Sequence, residues 1–286
     1  MTESRLRTFV ALADTGSVRA AAERLYVTES AVSASVTALA RDLGVPLVER
    51  AGRGVVLTPA GRVYADYARK LLGLHEEARA AARGEHEPGT GRLRLAAVTT
   101  AADQVLPGLL ADFRRSWPRV ELALEVGPSR RIWAALSAHE ADLVLGGRPP
   151  AGTRATVLAT RSNELVLVAA PGVPFDLRTT PWVMREPGSG TRVAAEAYLA
   201  EYEAAPPTLV LGSNGAVIAG AAAGLGAALV HRDAVRHDLA AGRLRVVDAP
   251  GTPLPRPWHA VAGPAPAATT RLFVRHLVDS GWTPGA

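Results

Sequence analysis

Apolar positions over the first forty residues recur at helical spacing three times in succession. Leu6, Phe9, Val10 and Ala13 mark a first helix, and Val18, Ala21, Ala22 and Leu25 mark a second. Tyr26-Val27 breaks the pattern, Thr28 is placed to cap a new helix, and Val32, Val36 and Leu39 form its inner face. The stretch from Ser17 to Leu39 therefore reads as two short helices joined by a tight turn, with the first helix packed across them. The outward face of the third helix holds Thr28, Glu29, Ser30, Ser33, Ala34 and Thr37. Small and polar residues of that kind let a helix backbone approach base edges in a major groove. Leu47-Val48-Glu49-Arg50 and Val55-Val56-Leu57 then flank the glycine-rich tip Gly52-Arg53-Gly54, the pattern of a hairpin. As a wing, it sets Arg50 and Arg53 against phosphates or a minor groove.

Thr58-Pro59 supplies an N-cap and a first-turn proline, after which Tyr64, Tyr67, Leu71 and Leu74 alternate spacings of three and four. From Thr58 to Arg83, roughly 25 residues, such a helix spans nearly 40 Å at about 1.5 Å per residue. So small a domain cannot cover it alone, and the stripe predicts pairing with a second copy. GEHEPGTG has the composition of a hinge. From Arg92 the texture becomes β-α-β-α-β, with strands expected at 93–97, 120–126 and 142–145 and helices at 102–116 and 129–138, which implies a parallel sheet. A second run follows, with strands at 164–169, 181–184, 208–211, 227–230 and 244–247, closed by a strand at 258–261 and a helix at 267–280. The expected organisation is a winged helix-turn-helix (1–58), a linker and dimerisation helix (59–84), a hinge (85–91) and an effector-binding domain (92–286). That last domain divides into lobe I (92–162 and 264–286) and lobe II (163–263), two α/β lobes with a ligand cleft at the strand C-terminal ends.

Composition narrows the classes. The chain has 286 residues, 48% of them hydrophobic, which suits two or three globular domains. No apolar run approaches a membrane span, and MTESRLRTFV lacks the apolar core of a secretory signal, so a cytoplasmic protein is expected. Zero cysteines exclude disulfides, thiolate metal sites and thiol redox sensing. The net charge of +5 favours an anionic partner, but residues 1–72 carry ten basic against seven acidic side chains. DNA affinity must then come from a few placed arginines and helix N-termini rather than from a large field.

Hydroxyls recur where strands give way to helices. Thr99 and Thr100 follow the first strand of the α/β region, Ser129 follows the second, Gly188-Ser189-Gly190-Thr191 opens a helix of the other lobe, and Ser213-Asn214 opens another. Free backbone N–H groups at such starts suit a carboxylate, sulfate or phosphate, although each hydroxyl could instead be an ordinary cap. Convergence of the four on one cleft points to a small anionic metabolite. An enzyme built on the α/β part is the rival reading. The seven histidines show no metal-ligand spacing, no GxSxG elbow or P-loop is present, and no cofactor is implied. A solute-binding protein fits the two lobes but needs a secretion signal and has no use for residues 1–83.

In order, spacing and punctuation, GSVRAAAERLYVTESAVSASVTALARDLGVPLVER and VVLTPAGRVYADYARKLL resemble the winged helix-turn-helix and linker helix of LysR-type transcriptional regulators. Downstream, LPGLLADFRRSWPRVELALEVG, ADLVLGG, REPGSGTR, GSNGAVIAGAAAGLGAALV and AAGRLRVV continue the likeness. The resemblance implies a homodimer or homotetramer on an imperfect palindrome of double-stranded DNA, with a periplasmic-binding-protein-like effector domain. RNA polymerase is a further candidate partner. Two departures stand out: Thr28-Glu29-Ser30 replaces the family's common Ser-Gln-Pro, and Ala34 stands where an arginine is frequent. Specificity is therefore expected to lean on Arg50, Arg53, DNA shape and dimer spacing.

Overall fold

The computed structural model describes residues 2–52 and 54–285, without the side chains of residues 80, 81 and 83–86. The chain divides into two compact units, Met1–Ala82 with Ser137–Glu140, and Arg83–Leu136 with Ala141–Ala286.

The first unit contains α1 (Glu3–Thr15), α2 (Val18–Leu25), α3 (Glu29–Leu43), the hairpin β1 (Val48–Ala51) and β2 (Gly54–Leu57), and α4 (Pro59–His86). Each of the first three helices starts on a hydroxyl that accepts from the third backbone N–H: Thr2 from Arg5, Ser17 from Ala20 and Thr28 from Ala31. Phe9, Ala21, Val32 and Leu39 meet in one core, which Ala65 and Ala68 of α4 complete. Tyr64 belongs to that inner face, edge-on to Phe9 with ring centroids 5.5 Å apart. It is therefore taken up inside the unit, and the outward apolar stripe of α4 is Val63, Tyr67, Leu71 and Leu74. The helix runs past Gly84 to His86 because Pro88, which disfavours helical geometry at Glu87, is what ends it. Arg53 lies outside the described residues.

The second unit begins β3 (Arg92–Val98), α5 (Thr99–Gln104), α6 (Leu106–Ser116), β4 (Glu121–Gly127), α7 (Ser129–Ser137), β5 (Leu143–Gly146) and β6 (Thr156–Arg161). It continues β7 (Glu164–Ala169), β8 (Trp182–Met184), α8 (Gly190–Glu201), β9 (Thr208–Val210), α9 (Asn214–Ala222), β10 (Ala228–His231) and α10 (Arg232–Ala240). It closes with β11 (Arg245–Val246), β12 (Leu254–Pro255), β13 (Trp258–Ala262), α11 (Ala268–Asp279) and β14 (Thr283–Pro284).

Lobe I is a six-stranded sheet in the order β14-β6-β13-β5-β3-β4. The expected parallel pairing holds for β3 with β4 and β5, while β13 runs antiparallel to β5 and β6. Residues 258–262, assigned to the second lobe from the sequence, thus belong to the first sheet. In lobe II, β7 pairs antiparallel with β10, β11 and β12, and β8 runs parallel to β9. A parallel bridge between Trp182 and Ala227 ties the two parts together. The second run of strands is accordingly mixed rather than parallel. The chain passes between lobes twice, at 161–164 and 255–258, and the passages are joined by the Arg256 N–H donating to the Asn163 carbonyl at 2.8 Å.

Candidate functional sites

Thr28, Glu29, Ser30, Ser33, Ala34 and Thr37 are all exposed on one side of α3, while Val32, Val36 and Leu39 are buried on the other. Thr28 is the cap itself: its Oγ1 accepts from the Ala31 N–H at 3.2 Å and lies 2.9 Å from the Ser30 hydroxyl. Arg50 is exposed on β1, opposite Val55, and makes no ion pair among the described residues. Sequence reasoning passed over Arg19, which donates to Glu23 at 3.0 Å and whose charge is also favoured by Glu29. The acidic start of α3 therefore faces a nearby cation.

In the second unit, a cavity of about 60 Å³ lies where the strand ends of the two lobes face each other. Val98, Thr99 and Thr100 line it from the β3–α5 junction, Gly127, Pro128 and Ser129 from the β4–α7 junction, and Ser189, Gly190 and Thr191 from the start of α8. Gly188, Ser213 and Asn214 do not line it. Ser213 instead caps α9, its Oγ accepting from the Ala216 N–H at 3.1 Å, and Asn214 is buried in its own lobe. The local reason is visible at the other helix starts. Neither α5, α8 nor α10 has a side-chain cap, so their first backbone N–H groups remain available where they meet the cavity at Thr99, Gly190 and His231.

Sequence reasoning also missed the charged lining: Arg148, Arg185 and Arg256, with His231 and Trp258. Arg185 is buried and held bidentately by Glu186, both contacts at 2.8 Å, which lowers the Glu186 pKa. Arg148 and Arg256 have no ion pair among the described residues, and no carboxylate lines the cavity. Burial, reinforced by the charge of Arg148, lowers the Arg256 pKa. Its guanidinium lies against Gly147 of lobe I and Gly190 of lobe II, at 3.5 and 3.6 Å from where a Cβ on either would stand.

His231 is neutral. Asn163 Nδ2 is 2.6 Å from His231 Nδ1 and 3.4 Å from the Arg256 carbonyl, which only accepts. Asn163 therefore donates, Nδ1 of His231 accepts, and the imidazole proton sits on Nε2. Burial, then the charge of Arg256, pushes the His231 pKa down to about 3. The ring stacks on Trp258 at 4.3 Å between centroids, and the Trp258 indole N–H donates to Asp233 at 3.1 Å. The cavity is thus a positively charged recess whose hydroxyls and backbone N–H groups have no negative partner among the described residues.

Comparison with known proteins places both units. The profile of the bacterial regulatory helix-turn-helix protein, lysR family, matches residues 4–62, and the LysR substrate binding domain matches residues 86–282. The RuBisCO operon transcriptional regulator of Acidithiobacillus ferrooxidans is 33% identical over 96% of this chain and 92% of its own. Full-length OxyR from Pseudomonas aeruginosa shares the fold at 23% identity, with a TM-score of 0.71 over 98% of this chain and 94% of that one. The regulatory domain of Synechocystis PCC6803 CcmR in complex with 2-PG is 28% identical, with a TM-score of 0.62 over 66% of this chain and 96% of its own. The chain belongs to the LysR family of DNA-binding transcriptional regulators, which join a helix-turn-helix to an effector-binding domain.

Proposed function

We propose that this regulator reads DNA with the exposed face of α3 and with Arg50 and Arg53 of the wing, as a cytoplasmic homodimer. A small anionic metabolite in the cavity of the second unit would modulate that binding. The observation that carries the effector reading is the convergence of three helix starts without side-chain caps on a recess containing Arg148 and Arg256, neither of which has an acidic partner among the described residues. A carboxylate, phosphate or sulfate supplies the missing acceptors and the missing charge at once. That the similar CcmR domain holds 2-PG supports this reading. The outward Tyr67, Leu71 and Leu74 of α4 support pairing of two copies, since exposed apolar stripes of this kind mark association surfaces. Binding rather than bond-making is favoured because the cavity hydroxyls have no general base. The one imidazole among the lining residues already accepts from Asn163 and has its pKa pushed to about 3.

The test is selection of bound duplexes from random DNA with the full-length protein, with and without a metabolite extract, together with melting curves in inorganic sulfate, phosphate and simple dicarboxylates. The expected result is an imperfect palindrome whose retention changes with the extract, and at least one anion that raises the melting temperature of the second unit. Failure of every anion to shift the melt removes the effector reading, and absence of an enriched sequence removes the DNA reading.

A further inference from the structure

Helix α2 ends on Tyr26, whose φ of 56° puts a non-glycine residue in the left-handed region. The corresponding positions after α1 and α3 are Gly16 and Gly44, which take that conformation without a Cβ penalty. Nothing among the described residues of the unit offsets the penalty at Tyr26. Its side chain is 96% exposed, well beyond the 61% of Tyr67, and it makes no hydrogen bond or ring contact among the described residues. A glycine would close the helix better, so the side chain has to be accounted for by something outside the unit.

Its position says what that is. Tyr26 stands two residues before Thr28, the cap of α3, at the end of the helix that leads into the candidate reading face. In a helix-turn-helix the helix before the reading helix crosses the DNA backbone, where phosphates run, and Tyr26 closes that helix. The Thr28 and Ser30 hydroxyls at the start of α3 are already engaged with the cap and with each other. Glu29 is acidic, so a phosphate there needs a neutral donor that projects past it. The phenol of Tyr26 is such a donor.

We propose that Tyr26 is a DNA-backbone contact, its hydroxyl donating to a phosphate oxygen beside the groove that α3 enters. The proposal rests on the reading of α3 as the DNA face. It is tested with the full-length protein, Tyr26→Phe and Tyr26→Gly, by mobility shift on the selected duplex and on a shuffled duplex over a range of salt. Both variants should bind about tenfold more weakly, the scale of one hydrogen bond to a charged group. The loss should be the same on both duplexes, because a phosphate contact carries no sequence information. The salt slope should not change, because a neutral donor releases no counterion. Tyr26→Gly should melt at or above the parent temperature. Parent-like binding by either variant overturns the proposal, as does a loss confined to the selected duplex or a reduced salt slope. A parent protein that enriches no duplex overturns the underlying DNA reading instead.

Discussion

Arg256→Met separates the two roles of the guanidinium in the second unit. Methionine keeps an apolar stem of similar length and removes the guanidinium that lies against Gly147 and Gly190. In the ligand-free protein that charge is a cost, because it is partly buried, faces Arg148, and has no acidic partner among the described residues. A partly buried charge without a partner is discounted for solvent screening, which leaves about 1 kcal/mol to be recovered on removing it. For a unit of this size that raises the melting temperature by about 2–4 °C. With anion present the sign reverses. A charge-assisted hydrogen bond contributes about 1.5–3 kcal/mol, so the variant should bind the anion about 10- to 150-fold more weakly. Parent protein at an anion concentration of 100 times Kd gains about 2.7 kcal/mol, of which the variant should lose about half at tenfold weaker binding and about nine-tenths at 150-fold. Calorimetric melts of both proteins with and without inorganic phosphate or sulfate read all of these quantities. A variant that melts below the parent without anion, or that is stabilised by anion as strongly as the parent, refutes the reasoning.

Other substitutions check neighbouring steps. Ser213→Ala removes a formed cap and should cost about 1 kcal/mol of stability with anion affinity unchanged, whereas Ser189→Ala removes no cap and should weaken the anion shift with little change in stability. Gly61→Ala would place a Cβ 1.9 Å from the Leu47 carbonyl oxygen and should lower the stability of the first unit by about 1–3 kcal/mol or more in a denaturant titration. Leu74→Glu on the outward face of α4 should shift the protein toward monomer in light scattering at micromolar concentration, and an unchanged mass would exclude that stripe as the pairing surface. His231 has a folded pKa of about 3, below the ordinary 6.5, so its stabilising contribution is present above pH 6.5 and is lost as the pH falls toward 3. The slope for one such group is at most about 1.4 kcal/mol per pH unit, and His231→Gln should flatten the stability profile between pH 6.5 and 5.

The first unit is largely legible in the sequence because its determinants are local. The spacing of Leu6, Phe9, Val32 and Val36 and the caps at Ser17 and Thr28 sit within a turn or two of what they control. Tyr64 escaped because a helix that carries one apolar face toward its own core and another outward shows the same three-four spacing on both. In the second unit, β7 has apolar residues on both faces, and such a run reads alike whether its neighbours are parallel or antiparallel. The two-residue strands β12 and β14 have no periodicity to detect. Thr99, Thr100, Ser129, Ser189, Gly190 and Thr191 were found because strand-to-helix junctions are visible in sequence, while the difference between Ser189 and Ser213 depends on side-chain orientation. Arg148 and Arg256 were invisible for a different reason. Arg256 meets Gly147 and Gly190 only after the chain has crossed between lobes twice, and no local pattern records that.

The bond between the Arg256 N–H and the Asn163 carbonyl has a consequence for how such a receptor can be retuned. The main chain of Arg256 belongs to a passage joining the lobes, while its side chain lines the cavity, and Asn163 on the other passage reaches His231 in the same lining. The lobe-to-lobe passages and the cavity lining therefore share residues. The junctions at Thr99, Ser129 and Thr191 line the cavity without belonging to the passages between the lobes. A change at 99, 129 or 191 therefore touches the cavity alone, whereas a change at 163 or 256 touches both the cavity and the link between the lobes.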